Sequence, residues 1–166
     1  MSLDNIQLPA FIIQDLFQSS LIDITDILPV KSNKKNKDIN FFGGNNQQIV
    51  IVVNNIKEEF ISPIQLNFLS GILNACKLNL EDVAIVNLAA HTSINYHQLL
   101  EALSCKMVLL FGIMPGAIQL PFVIPEFQKQ IHANCLYLSA PSLNEMENNK
   151  ELKKKLWLIL KQIFSI

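Results

Sequence analysis

Apolar positions recur along this chain in two rhythms that take turns. Continuous runs stand at residues 48–53 (Gln-Ile-Val-Ile-Val-Val), 83–88 (Val-Ala-Ile-Val-Asn-Leu), 106–111 (Lys-Met-Val-Leu-Leu-Phe) and 134–138 (Asn-Cys-Leu-Tyr-Leu). Short apolar runs without polar alternation, rich in β-branched residues, predict strands buried on both faces. Between and after them, apolar residues fall three and four apart. Leu69, Ile72, Leu73 and Cys76 form one such stripe, Tyr96, Leu99, Leu100 and Leu103 a second within 93–103, and Leu152, Leu156, Ile159, Leu160 and Ile163 a third within 149–164. That spacing predicts helices with one buried face. Ser62 caps the first of them, with Pro63 in its first turn and Gln65 able to reach back to the cap; Ser142, with Glu145 three residues on, reads as a cap of the same kind. In the last helix Lys153, Lys154 and Lys155 fall on the solvated side, and Trp157 is expected against the sheet edge.

The remaining stretches break both rhythms. Residues 114–131 contain Pro115, Pro121 and Pro125, so a loop with at most a short helical turn is expected there. Near the N-terminus, Ile6, Phe11, Ile12, Leu16 and Phe17 are loosely helical in spacing, and Ile22, Ile24, Ile27 and Leu28 are irregular, which predicts a short helix and an extended segment over 1–30. Lys31, Lys34, Lys35 and Lys37 among Ser and Asn, closing on Gly43-Gly44, predict a solvated, flexible linker over 31–46. One α/β domain over 47–166 follows. Strands alternating with helices pair in parallel through right-handed crossovers, so the expected architecture is a three-layer α/β/α sandwich around a central, four-stranded, mainly parallel sheet.

Composition fits one folded domain: the chain has 166 residues, of which 50% are hydrophobic and 16% charged, a balance that supports a buried core and excludes a disordered chain. No apolar run approaches the roughly 20 residues of a membrane helix. Met1-Ser2-Leu3-Asp4 does not begin a secretory leader, so a cytoplasmic location is expected. Formal net charge is -1, and all 13 basic residues are lysines. Without arginine there is no bidentate fork for guanine or phosphate, so any contact with DNA is expected to be weak and non-specific. Cys76, Cys105 and Cys135 lie in or beside apolar segments without a Cys-x-x-Cys pair, which predicts buried free thiols.

In a parallel sheet ligands bind beyond the carboxyl ends of the strands, which directs attention to Asn54-Asn55, Asn87 to His91, Gly112 to Gly116 and the segment from Ser139 to Ser142. The first strand runs into Asn54-Asn55-Ile56-Lys57 rather than a glycine-rich phosphate loop. The spacing of Gly112 and Gly116 reads as a turn. Among His91, His97 and His132, His91 has no Cys or carboxylate within two residues and His97 is expected on a helix surface, so a zinc site with three or four convergent ligands is not expected. Ser142 with His91 is the one nucleophile and base pairing that the topology permits, and the capping role of Ser142 is the preferred reading.

Taken in order, the segments Ile49-Val50-Ile51-Val52-Val53, Ile72-Leu73-Asn74-Ala75-Cys76, the stretch 81–87 and Ser139-Ala140-Pro141-Ser142 ahead of the helix carrying Trp157 resemble the uracil-DNA glycosylase superfamily. The resemblance covers about two-thirds of the chain. It implies that the place of a water-activating loop is taken by Val53-Asn54-Asn55-Ile56, and that Ala140 stands where active members have the histidine of a His-Pro-Ser motif. A methyl group cannot donate a proton, and losing a group that stabilises developing charge costs about 2.7–4 kcal/mol of barrier. Three dispersed cysteines also fall short of the four ligands of an iron-sulfur cluster. Residues 50–56, 78–86 and 139–157 are similar to the core of the psi subunits of bacterial DNA polymerase III, non-catalytic relatives whose N-terminal peptide docks on the clamp loader while the core binds the chi subunit.

The resemblance thus implies an accessory protein of replication or repair, without cofactor or metal. Its catalytic positions would be degenerate (Asn54, Asn55, Asn87, Ala140, Ser142), and its partner-binding residues Phe11, Leu16 and Phe17. The partner implied is a protein, a clamp loader or a chi-like subunit. Two alternatives stand beside it: a divergent base-excision enzyme that positions water with Asn54, Asn55 or Asn87 and touches the base or backbone with Ser142, and a small-molecule binder at the loop 112–116.

Overall fold

The computed structural model describes residues 39–91 and 93–165. The helix and extended segment expected over 5–28, the linker up to residue 38, and with them Phe11, Leu16 and Phe17, lie outside the described residues. In chain order the elements are β1 (Phe42–Gly43), β2 (Ile49–Val53), α1 (Pro63–Ala75), β3 (Val83–Asn87), a 3-10 turn (Leu88–Ala90), α2 (Tyr96–Leu103), β4 (Met107–Phe111), a second 3-10 turn (Pro115–Ile118), β5 (Lys129–His132), β6 (Cys135–Ala140), α3 (Leu143–Glu147) and α4 (Lys150–Phe164). The class is α/β. The sheet has six strands in the order β1-β3-β2-β4-β6-β5, not four. β3, β2, β4 and β6 pair in parallel, and β1 and β5 close the two edges in antiparallel fashion.

The four apolar runs form the interior strands because every residue of β2, β3 and β4 is buried. Their side chains alternate between two cores. Val50, Val52, Ala84, Val86, Val108, Leu110 and Tyr137 meet Leu99 and Leu103 of α2 on one face. Ile49, Ile51, Val53, Ile85, Leu109 and Leu138 meet Leu69 and Leu73 of α1, Met146 of α3, and Leu156 and Leu160 of α4 on the other. Helices therefore cover both faces, as the continuous hydrophobic runs require. No described helix is long and apolar enough to cross a membrane.

Local signals at the helix starts act as their residue types dictate. Ser62 and Gln65 form the reciprocal capping box of α1 with Pro63 at its start, and the Ser142 hydroxyl accepts from the Glu145 amide at the start of α3. The second helix begins at Tyr96 rather than residue 93, because Asn95 and Gln98 supply a capping box there.

Three expectations are corrected. Residues 39–46, assigned to the flexible linker, join the domain: Ile39 is buried in the core, Phe42 pairs with Ile85 and Gly43 with Ala84. Gly43 sits at φ +116, where any Cβ would collide with the Val83 and Leu80 carbonyls, so this glycine serves close strand approach. The proline-containing segment 114–131 ends in an edge strand rather than remaining loop. β5 joins β6 through Ala133-Asn134, both left-handed (φ 49 and 60), the geometry of a tight two-residue hairpin. Trp157 lies not at the sheet edge but in an apolar groove between α1 and α4, with Phe68, Ile72, Leu156 and Leu160; the packing of two helices on one face leaves it there, half-buried.

Candidate functional site

The carboxyl ends of β2 and β3 are joined by one side chain. Asn87, the last residue of β3, is 1% exposed. Its Oδ1 accepts from the Asn55 amide at 2.8 Å and the Ala89 amide at 3.2 Å. Its Nδ2 donates to the carbonyls of Asn55 (2.7 Å), Glu58 (2.8 Å) and Glu59 (3.1 Å). A buried amide must satisfy its donors and acceptor inside the protein, and Asn87 does so by bracketing the backbone of the loop that follows β2.

The bracket continues sideways. Asn55 Nδ2 donates to Gln65 Oε1 at 2.6 Å, and Gln65 Nε2 donates to Asn144 Oδ1 at 2.8 Å. Gln65 is itself buried, and its Oε1 also accepts from the Ser62 amide. One chain of amides thus ties the ends of β2 and β3 to the start of α1 and to α3. Sequence reasoning assigns Gln65 only a capping role and passes over Asn144. The capping motif Ser62-Pro63-Ile64-Gln65 is a signal that Gln65 points toward the helix start, but its link to position 144 depends on tertiary packing.

The five positions expected to form one site are divided between two depressions. Asn54, Asn55 and Asn87 border a shallow hollow with Ile56, Lys57 and Glu58. Ala140 and Ser142 belong to a cleft of about 600 Å³ at the ends of β4 and β6, with Met114, Val123, Pro125, Glu126 and Glu145 among its walls. Its character is apolar with a carboxylate rim: Met114 and Val123 are each 82% exposed, and Glu126 and Glu145 face solvent. The strand-end rule points to both Gly112–Gly116 and Ser139–Ser142, but nothing in the sequence pattern marks Val123 or Glu126 as neighbours of Ala140. Gly112, at φ +67, floors the cleft; a Cβ there would come within 2.7 Å of the Ser142 Cβ, so the β4 end and the α3 start approach more closely than any other residue allows.

The Asn87 oxygen, the group that could orient a water, already accepts two amide hydrogens. Asn54 stands exposed. Ala140 brings a methyl group, and the Ser142 oxygen accepts from the Glu145 amide. His91, the one candidate base for Ser142, sets its Nε2 3.2 Å from the Asn40 carbonyl. The histidines otherwise serve packing: His132 lies edge-on to Tyr96 and Phe122, and His97 stacks on Tyr96. Among the described residues no group of three His, Cys, Asp or Glu converges to hold a metal.

No family model matches this chain, and no curated protein matches it in sequence.

Proposed function

We propose that this chain is a non-catalytic, protein-binding accessory protein of DNA replication or repair, with a core similar to that of the polymerase III psi subunits and ultimately to the uracil-DNA glycosylases. The observation that carries the reading is the fate of the amides at the strand ends. Asn87 and Asn55, the side chains best placed to hold a water, are engaged in bracketing the 55–59 loop and the start of α1. In the separate apolar cleft at the ends of β4 and β6, the place that the resemblance gives to a proton-donating ring holds Ala140. Two further features support it: the order β3-β2-β4-β6 of the parallel strands, and the exposure of Met114 and Val123 beside Ala140, which suits a docking surface better than a reaction centre.

In this reading Phe11, Leu16 and Phe17 supply the contact with a clamp loader or chi-like subunit. A pull-down with the full chain as bait tests it. The wild type is expected to retain a replication or repair protein, and the double variant Phe11→Ala/Phe17→Ala to lose it at least tenfold. Equal capture by both, or capture only of proteins unrelated to replication and repair, would defeat the proposal. Alkali-labile cleavage of uracil- or hypoxanthine-containing DNA by purified protein, abolished by Asn54→Ala or Asn55→Ala, would defeat it from the other side.

A further inference from the structure

At the opposite end of the sheet from these depressions, two of the three cysteines meet. Cys105 leads into β4 and Cys135 opens β6, and both thiols are buried in the core on the α2 face of the sheet. The two strands are in parallel register, Met107 opposite Leu136, and the Leu136 amide donates to the Lys106 carbonyl at 2.9 Å. Stepping back one residue sets Cys135 beside Lys106. Cys105 directly precedes Lys106, so the two cysteines lie on neighbouring segments at the same end of the sheet. Both side chains enter the same core on the α2 face, where the Cys135 thiol donates to the Leu136 carbonyl at 3.9 Å. Tyr137, two residues on and fully buried, points its hydroxyl into the same cluster without a hydrogen-bond partner.

We propose that Cys105 and Cys135 form a peroxide-oxidisable dithiol, closing to a disulfide that staples the β5–β6 hairpin to the junction between α2 and β4. The step balances with one peroxide. A Cys135 thiolate attacks one peroxide oxygen and the O–O bond breaks. The departing hydroxide takes up the thiol proton as water, leaving a sulfenic acid on Cys135. The Cys105 sulfur then displaces the sulfenic hydroxide, which leaves with the Cys105 proton as the second water. Two S–H bonds and one O–O bond are lost, one S–S bond is made, and the two sulfurs are oxidised as the two peroxide oxygens are reduced. The same balance holds if Cys105 attacks first and Cys135 resolves.

Access comes through the hairpin. β5 is an edge strand paired on one side only, and Lys129, Gln130 and Ile131 are exposed, so local opening there costs less than opening the interior strands. Cys76 is an internal control, since it is buried in the core on the other face. The inference stands apart from the proposed function, because neither thiol borders the hollow or the cleft.

The test uses the folded full chain. It is treated with hydrogen peroxide, quenched, denatured, alkylated and mapped by peptide mass. The expected product is a peptide pair joined through Cys105 and Cys135 and lighter by two hydrogens, with Cys76 alkylated, and dithiothreitol added before alkylation leaves all three thiols free to be alkylated. In Cys76→Ala the same crosslink is expected. Full alkylation of both Cys105 and Cys135 after peroxide treatment would overturn the proposal, as would a Cys135 that advances to sulfinic acid while Cys105 stays free. Disulfides found only between chains, or only to Cys76, would also overturn it.

Discussion

At the scale of single residues, Asn87 carries the most structural weight of the candidate positions. Its side chain joins Asn55, Glu58, Glu59 and Ala89 through five hydrogen bonds. Asn87→Ala is expected to lower stability by about 2 kcal/mol, measured by urea denaturation, and to raise amide exchange selectively over 55–59. Asn87→Asp is expected to do no better, because it keeps the acceptor but turns a carboxylate toward three carbonyls. Exchange over 55–59 unchanged in Asn87→Ala would show that the loop holds itself. The sequence marks Asn87 as a strand-end residue and therefore as a candidate for chemistry. Its actual task is invisible there, since its partners lie some thirty positions upstream and are backbone atoms that any residue type would present. Ala140 is the contrary case: the absence of a titratable group is plain from the residue itself, whatever surrounds it.

Among the elements, those with strong periodicity are legible and the weakly patterned ones are not. β2, β3 and β4 follow the continuous apolar runs, and α1 and α4 follow their stripes and caps. β5 escapes notice because Lys-Gln-Ile-His is exposed on both sides and its turn, Ala133-Asn134, lacks the Asn-Gly signature of a tight hairpin. β1 escapes because only two residues pair. The turn offers a direct check. Ala133 occupies φ 49, where an alanine Cβ is strained, and Asn tolerates that region while Gly suits the second position. The double change Ala133→Asn/Asn134→Gly is expected to stabilise the protein by about 1 kcal/mol, and Ala133→Val to destabilise it by at least as much. Thermal melts of the two variants separate these outcomes, and identical midpoints would contradict the hairpin geometry.

On the scale of the whole molecule, ionisable groups are buried on both faces of the sheet. Desolvation raises the Cys76 thiol and, with the neighbouring thiols, the Tyr137 phenol; Cys105 is raised through its bond to Cys135, which is lowered in turn. In the unfolded chain these groups ionise near their ordinary values of 9.0 for the thiols and 10.0 for the phenol. For Cys76, Cys105 and Tyr137 the folded protein then holds protons that the unfolded chain has released, a contribution that is full below about pH 9 and is lost as pH rises above it, while the lowered Cys135 adds stability as pH approaches about 9 from below. Urea midpoints are expected to decline beyond about pH 9, with a shallower decline in Cys76→Ala; a midpoint that rises above about pH 9 would refute this. The sequence by itself determined the α/β class, the interior strands, the caps of α1 and α3 and the blank chemistry of Ala140, because each follows from side-chain type and local spacing. Only the tertiary structure decided that the strands order themselves β1-β3-β2-β4-β6-β5, that Asn87 brackets the 55–59 loop, and that Cys105 and Cys135 enter the same core. Those outcomes depend on which distant segments become neighbours, and that is set by the joint packing of two faces of a sheet rather than by any stretch of chain read alone.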